Sequence, residues 1–217
     1  MDSKIFKIVM VGKARCGKTS LRNYFLYRNY TWQYTPTKTP DFVSTSIVLD
    51  SNEQVAMQIW DTAGSSASSL VTDSLAQVAD GIVLVYDSTQ PEQNAQLARY
   101  MEAGRIAEGV PKMAVRTKFD VAGDNDEAGD MDGLLRVNAS ARTGENVDYV
   151  FQTIARLCLQ RWREEQNEMA FNKLSKHGDP ISYHTFDFED APLSKPRHRG
   201  ESYNRLRTAI CRLLCLA

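Results

Sequence analysis

Apolar and polar residues follow one another along this chain in two recurring patterns. Short apolar or alternating stretches, typical of β-strands, occupy residues 5–11, 41–50, 54–60, 82–86, 113–115 and 134–137. Apolar residues at helical spacing occupy residues 20–27, 91–108 and 145–166. The second and third strands, joined by a short polar turn, predict an antiparallel hairpin beside otherwise parallel strands. We therefore expect an α/β fold of three layers, with helices on both faces of a mixed, mostly parallel six-stranded sheet.

Three regions fall outside this alternation. Residues 121–133 are acidic and rich in glycine, so we expect a loop or a single helical turn there. Residues 167–200 are dominated by glycine, proline, histidine and charge, which predicts a flexible linker. Residues 201–217 place apolar residues on one side of a helix with arginines at its flanks, the pattern of a basic amphipathic tail. The predicted folded domain therefore spans residues 1–166.

Composition narrows the setting in which the protein works. A formal charge of −1 over 217 residues offers no basic field for nucleic acid. The four cysteines form no CxxC pair, which favours a reducing, cytoplasmic environment. Residues 1–4 lead directly into the first strand, so we expect no signal peptide, and no apolar run is long enough to span a bilayer. Any contact with a membrane is expected to be peripheral.

A glycine-rich loop joins the first strand to the first helix. Residues 12–19 read Gly-Lys-Ala-Arg-Cys-Gly-Lys-Thr, the spacing GxxxxGK[ST] in which the glycines let several backbone N–H groups point at one phosphate group. Lys18 is placed to reach the terminal phosphates, and the Thr19 hydroxyl is placed to hold Mg²⁺. An ordinary glycine turn is the alternative, which the strand before and the helix after this loop make less favourable. The pattern predicts a nucleotide site.

A second motif, Trp-Asp-Thr-Ala-Gly, follows the hairpin at residues 60–64. A carboxylate at the end of a strand, here Asp61, can hold Mg²⁺ through a water, and Gly64 lets a backbone N–H approach a terminal phosphate. The sequence Asp-Thr-Ala-Gly at residues 61–64 is by itself also compatible with a simple turn. Its position after a phosphate loop is what favours the site.

The ends of the last two predicted strands carry groups suited to a purine base. Asp120 can accept hydrogen bonds from both N1–H and the exocyclic amine of guanine, which adenine does not offer. The aliphatic stem of Lys118 provides a surface on which the base can lie. The backbone N–H groups around Ser140 can meet guanine O6. Taken by itself, the motif that contains both residues, Thr-Lys-Phe-Asp at 117–120, is also compatible with a Lys/Asp pair on the protein surface.

With these motifs in order, residues 4 to about 165 resemble the Ras superfamily of small GTPases, and Trp60 before Asp-Thr-Ala-Gly is most similar to the Rab branch. The resemblance implies the P-loop small GTPase fold and a switch in membrane traffic or signalling that binds GTP or GDP with Mg²⁺. The residues it implies in nucleotide binding are Gly12, Arg15, Cys16, Gly17, Lys18, Thr19, Ser20, Tyr30, Thr37, Gly64, Thr117, Lys118, Asp120, Ser140, Ala141 and Arg142. The implied metal ligands are Thr19, Thr37 and Asp61. The residues implied in hydrolysis are Lys18, Thr37, Gly64 and Ser65.

The resemblance also implies protein partners, namely effectors, an exchange factor and a GTPase-activating protein. Phe42 and Trp60 match two of the three aromatic residues that Rab proteins present to effectors, and Leu75 stands at the third position. Phe42 and Trp60 would equally serve as ordinary core residues.

The chain departs from the family at several positions in these motifs. Ser65 stands where the family has a glutamine that orients the attacking water, and its side chain is too short for that task. We therefore expect slow hydrolysis, with a pseudo-GTPase scaffold as the alternative. Arg15 is bulky where small residues are usual, and it either points outward or touches phosphate. Thr117 replaces an asparagine, as in the Rho branch, and Arg142 replaces a lysine. A P-loop ATP-dependent kinase is a more distant reading, which Asp120 opposes.

The tail carries two cysteines, Cys211 and Cys215, on one side of its predicted helix. Cys215 is third from the end, so the chain lacks the CaaX pattern of prenylation. Acylation of either cysteine, or binding of the basic helix to anionic lipid, fits better and predicts a peripheral position on the cytosolic face of membranes. Packing of this helix on protein is the alternative.

Overall fold

The structure is a computed structural model of the chain, and it describes residues 4–64, 69–90, 106–122 and 134–176. Its strands are β1 Ile5–Val11, β2 Asp41–Val48, β3 Gln54–Asp61, β4 Gly81–Asp87, β5 Lys112–Thr117 and β6 Leu135–Asn138. Its helices, within those ranges, are α1 Lys18–Tyr27, α2 Ser69–Gln77, α3 Phe119–Ala122 and α4 Val147–Lys176. The predicted helix 91–108 lies almost entirely outside the described residues, and the tail 201–217 lies wholly outside them.

The strands form one sheet in the order β2-β3-β1-β4-β5-β6. Every pair is parallel except β2 and β3, which pair antiparallel from Asp41 opposite Asp61 to Val48 opposite Gln54. All seven residues of β4 are buried, as expected for a parallel strand covered on both faces. The structure confirms the predicted six-stranded mixed sheet and its single hairpin.

The sheet has a hydrophobic core on each face, because successive residues of a strand point to opposite sides. Ile8 and Met10 of β1 belong to the cluster that contains Leu21 of α1 and Phe151 of α4. The alternate residues of β1 belong to a second cluster with Ala76 of α2. Helices therefore cover both faces, and the three-layer arrangement is confirmed.

Because five of the strands run parallel, their carboxyl ends meet at one edge of the sheet. The loop 12–17 follows β1, Asp61 ends β3, Asp87 ends β4, and Thr117 ends β5. In open parallel sheets this is the edge at which ligands bind. The fold thus brings together the motifs that the sequence places at successive strand ends.

The C-terminal helix is longer than predicted. We expected it to end at residue 166 and a linker to begin at 167, but α4 continues to Lys176. Residues 167–177 contain no glycine or proline, and they include helix-forming Glu168, Met169, Ala170 and Lys173, which explains the extension. Residues 177–200 lie outside the described part of the chain, so a linker there stays a prediction.

Two smaller elements complete the comparison with the sequence. Helix α2 was not predicted, and it begins at Ser69, directly after the undescribed residues 65–68. Helix α3 is a single turn that includes only the first two residues of the segment 121–133, and since residues 123–133 are not described, the loop or single turn expected there stays a prediction. The packing described here lies within the compact unit Met1–Leu174, and the other unit, Ser175–Ala217, is almost wholly outside the described residues. No helix in the described ranges has both the length and the hydropathy needed to cross a membrane.

Candidate functional site

A cavity of about 600 Å³ lies at the carboxyl edge of the sheet, and we call it the groove. Residues from four regions line it: the loop after β1 with the first part of α1, the loop 29–37 before β2, Thr62 and Gly64 after β3, and the end of β5 with the segments after β5 and β6. The predicted site residues that line it are Arg15, Gly17, Lys18, Thr19, Ser20, Tyr30, Thr37, Gly64, Thr117, Lys118, Asp120, Ser140, Ala141 and Arg142. Sequence motifs spread over more than 120 residues thus meet in one groove.

The loop after β1 presents a buried cation to the groove. Lys18 is 5% exposed, and its Nζ donates hydrogen bonds to the carbonyl oxygens of Gly12 at 2.7 Å and Lys13 at 2.8 Å. The loop passes so close to β4 that a Cβ on Gly12 would overlap the carbonyl oxygen of Val85. Helix α1 begins at Lys18 with no side-chain cap, so its first N–H groups are available to an anion. The arrangement suits a phosphate chain.

Gly12 and Cys16 shape this loop from behind the groove. The Cys16 side chain is fully buried in the core beneath α1, and burial raises the pKa of its thiol above the ordinary value. Neither residue is among those lining the groove. Any contribution of these two residues to binding is therefore through the backbone.

Three oxygen-bearing side chains from different elements meet beside Lys18. The Thr19 hydroxyl on α1 donates to Asp61 Oδ2 on β3 at 2.6 Å, and it lies 3.1 Å from the Thr37 hydroxyl. Asp61 Oδ1 is buried and has no hydrogen-bond partner among the described residues. Burial raises the pKa of this carboxyl above its usual value, although the hydrogen bond from Thr19 acts in the opposite direction.

This cluster fits Mg²⁺, because that ion prefers oxygen ligands and is commonly held by one or two protein groups together with phosphates. A cation beside the cluster would satisfy the unpartnered Asp61 Oδ1. Thr19, Thr37 and Asp61, the three metal ligands that the family resemblance implies, are the residues that the structure brings together here.

The end of β3 contacts the loop after β1 directly. The Ala14 N–H donates to the Gly64 carbonyl at 2.9 Å, and a Cβ on Gly64 would overlap the Ala14 backbone. Only glycine permits this approach. Ser65 follows immediately and lies outside the described residues, so its part in the site stays a prediction.

At the other end of the groove, Asp120 is held by two neighbours. Its Oδ1 accepts a hydrogen bond from the Ser140 hydroxyl at 2.6 Å, and its Oδ2 lies 3.5 Å from Arg142 Nη1. Lys118 extends along the wall and pairs with Asp87 Oδ2 at 2.5 Å. Sequence reasoning missed Asp87, although its place at the end of an apolar strand next to the other motifs was a usable signal.

Thr117 connects the two ends of the groove. Its hydroxyl donates to the carbonyl oxygen of Cys16 at 2.5 Å and lies 2.9 Å from the carbonyl oxygen of Tyr86. The side chain is buried, so this hydroxyl serves the protein's own carbonyl groups. Thr117 therefore connects the phosphate loop to the end of β5, directly before helix α3, which carries Asp120.

Aromatic residues of the loop 29–37 lie across the groove. The Tyr30 and Trp32 rings meet edge to face with their centroids 5.4 Å apart. Arg142 Cζ lies 4.6 Å from the Trp32 ring centroid, and Arg15 Cζ lies 4.6 Å from that of Tyr34. Sequence reasoning identified Tyr30 but missed Trp32 and Tyr34, because contacts between loops leave no periodic pattern.

The predicted effector residues lie beside the groove, on β2, β3 and α2. Phe42 is 44% exposed, so its reading as a core residue is wrong. Its ring stacks on half-buried Trp60 with centroids 4.5 Å apart. Trp60 and Leu75 both pack against the second core cluster while remaining partly exposed. The three residues thus combine support from the core with exposed apolar surface.

The amino-acid sequence is similar to proteins of a known family. The sequence model of the Ras family matches residues 7–160. The chain is similar to the Ras-related proteins Rab-7b and Rab-7a of Paramecium octaurelia, each 29% identical over 178 residues, which cover 75% of this chain and 85% of each relative. The matched region contains every part of the groove.

Replacing Thr117 tests its structural role. Thr117→Val keeps the shape but leaves the Cys16 and Tyr86 carbonyl oxygens without this hydroxyl, so we expect the free energy of unfolding to fall by about 1–3 kcal/mol. Thr117→Ser keeps the hydroxyl and is the matched control. Chemical denaturation measures both variants, and a valine variant as stable as the serine variant would show that these hydrogen bonds contribute nothing.

Proposed function

This chain belongs to the Ras family of small GTPases, as a divergent member of its Rab branch, and we propose that it is a guanine-nucleotide switch in membrane traffic or signalling that hydrolyses GTP slowly. The observation that carries the proposal is the cluster of Thr19, Thr37 and Asp61 beside the buried ammonium of Lys18. Thr19 and Thr37 line the same groove as the phosphate loop, and Asp61 contacts Thr19 without lining the groove, an arrangement that suits a nucleoside triphosphate with Mg²⁺.

At the phosphate end, Lys18 and the first N–H groups of α1 bind the phosphates, and Thr19 and Asp61 hold Mg²⁺. When bound, the ion neutralises part of the phosphate charge. Thr37 contributes from the loop before β2, so its hydroxyl connects that loop to the occupied groove. A terminal phosphate thereby orders the loop, and partners distinguish the two states by that order.

At the base end, Asp120 accepts hydrogen bonds from guanine N1–H and the exocyclic amine. The Ser140 hydroxyl orients the Asp120 carboxylate at 2.6 Å, which prepares it for a planar, two-point contact. The Lys118 stem, held along the wall by Asp87, supports one face of the base. Adenine carries a donor where guanine carries O6, and it has no N1–H, so this end selects guanine.

Effectors bind the exposed apolar surface next to the groove. Phe42 stacks on Trp60 there, and on α2 the side chains of Leu70 and Val71 are 78% and 50% exposed. Exposed aromatic and aliphatic side chains on these elements are suited to partners that read the order of the switch region. We propose that an exchange factor and, where hydrolysis is stimulated, a GTPase-activating protein approach the same side.

The basic tail 201–217 attaches the protein reversibly to the cytosolic face of membranes. In the helix that the sequence predicts there, Arg205, Arg207 and Arg212 would flank the apolar side. Each basic residue near an anionic leaflet contributes about 1 kcal/mol, so the tail alone supports reversible binding. Acylation of Cys211 or Cys215 would strengthen it.

The nucleotide is the first test. We expect the purified protein to carry guanine nucleotide, identified by chromatography after denaturation. Asp120→Ala is expected to weaken guanine-nucleotide affinity by at least about tenfold, since it removes two charge-assisted hydrogen bonds. Asp148→Ala, which removes an exposed carboxylate of α4 outside the groove, is the matched control. Bound ATP, or no purine, would contradict the proposed function.

Hydrolysis is tested by restoring the missing side chain. Ser65→Gln supplies an amide long enough to orient water, so we expect single-turnover GTP hydrolysis to accelerate on the order of tenfold. Ser65→Ala, which lacks that amide, should remain as slow as the wild type. A glutamine variant with unchanged rate would indicate that another feature limits hydrolysis and would favour the pseudo-GTPase scaffold.

Removing residues 201–217 tests the tail. The truncated protein should leave the membrane fraction while retaining bound guanine nucleotide, because the groove lies entirely within earlier residues. Binding to vesicles with and without anionic lipid provides the quantitative measurement. An unchanged distribution between membrane and supernatant would refute the anchoring role.

A further inference from the structure

Two arginines meet the loop 29–37 from opposite ends of the groove. Arg15, in the phosphate loop, places its Cζ 4.6 Å from the ring centroid of Tyr34. Arg142, in the loop after β6, places its Cζ 4.6 Å from the ring centroid of Trp32. Both distances lie within the range at which a guanidinium is attracted to an aromatic face. The two aromatic residues belong to the same short loop, and the two cations belong to the fixed walls.

The phosphate-end contact is built on an uncommon backbone conformation. Arg15 has φ of 66°, in the left-handed region that most residues other than glycine avoid. In this conformation the side chain meets Tyr34 above the groove. The guanidinium of Arg15 thus rests on an aromatic ring while its residue lines the groove, and whether it also touches phosphate stays a prediction.

The base-end contact is part of a chain of interactions. Arg142 lies 3.5 Å from the carboxylate of Asp120 and over the Trp32 ring, and Trp32 in turn meets Tyr30 edge to face. Trp32 is 72% exposed, so burial does little to fix its position. Its neighbours in the groove, a cation and a second ring, hold it there.

We propose that the Arg15–Tyr34 and Arg142–Trp32 contacts form a clasp that closes the segment 30–34 over bound nucleotide and slows its release. The inference rests on the proposed guanine-nucleotide function and adds a feature to it. In a simple switch the terminal phosphate and its metal order this loop. Here two cations of the protein itself attract the loop, so the clasp acts on GDP as well as on GTP.

The contacts are partly exposed, so each is expected to change the release rate about two- to fivefold. The two contacts share no residue, since one is made by Trp32 in the middle of the segment and the other by Tyr34 at its end. Because both contacts hold the same short segment, loss of both should accelerate release at least as much as the larger of the separate effects.

Release of a fluorescent GDP analogue, chased with excess unlabelled GDP in the presence of Mg²⁺, tests the clasp. Tyr34→Ala and Trp32→Ala should each release the analogue about two- to fivefold faster than the wild type. Tyr34→Phe and Trp32→Phe keep an aromatic face and should stay close to the wild-type rate. The same order is expected with a fluorescent, non-hydrolysable GTP analogue.

A double-mutant cycle separates direct contact from general loosening. Arg15→Gln combined with Tyr34→Ala should release nucleotide no faster than the faster single variant, because either change alone removes the contact. Arg28→Gln is the matched control. Like Arg15, Arg28 has a left-handed backbone, with φ 54°, and lies over a tyrosine ring, that of Tyr24. Arg28 does not line the groove, so the Arg28→Gln variant should release nucleotide at the wild-type rate.

The outcomes are distinct. Unchanged release for Tyr34→Ala or Trp32→Ala, while the wild type binds guanine nucleotide, overturns the clasp and leaves the proposed function intact. Acceleration by Arg15→Gln without any effect of Tyr34→Ala overturns it as well and assigns Arg15 to the phosphates. A wild-type protein that binds no guanine nucleotide overturns the proposed function and the clasp together.

Discussion

Strand β1 pairs in parallel with β3 on one side and with β4 on the other, so the carboxyl ends of these three strands lie side by side at one edge of the sheet. Met10 lies opposite Asp61 in this register, and Thr62 donates a hydrogen bond to the Met10 carbonyl at 2.7 Å. The loop that follows β1 must then pass between its neighbours with little space, which explains the requirement for Gly12 beside Val85 and for Gly64 beside Ala14. A shift of this register by one residue would move Asp61 to the other face and away from Thr19.

The groove depends on polar contacts where the rest of the domain depends on apolar packing. Lys18 and Asp61 are buried charged residues, which is costly unless each has partners. Lys18 finds them in two backbone carbonyl groups, whereas one oxygen of Asp61 has no partner among the described residues. Asp61 Oδ1 is therefore a buried carboxylate oxygen whose cost of burial a bound cation would compensate. An apolar core on both faces of the sheet makes this cost tolerable.

Much of this could be predicted from the sequence, for a physical reason. Motifs such as the loop 12–19 and Thr-Lys-Phe-Asp sit directly at the ends of strands, and parallel strands bring their carboxyl ends together, so strand prediction alone places them in one site. The length of α4 was underestimated because charge in residues 167–176 resembled a linker, although these residues are also good helix formers. The contacts of Arg15 and Arg142 with aromatic rings could not be predicted from the sequence, because such contacts join separate loops and leave no periodic pattern.

The departures from the family pattern fall on two different steps of a switch. Under the proposed function, Ser65 would bear on hydrolysis, which ends the GTP-bound state, whereas Arg15 and Arg142 would act through the proposed clasp on release, which ends the GDP-bound state. Under the proposed function and with the proposed clasp, an exchange factor must do more than displace the metal ion to release the nucleotide. It must also separate two guanidinium groups from two aromatic rings at opposite ends of the groove. An exchange factor that only displaced Mg²⁺ from Thr19 and Asp61 would leave both contacts in place, so one that acts efficiently has to engage the segment 30–34 itself.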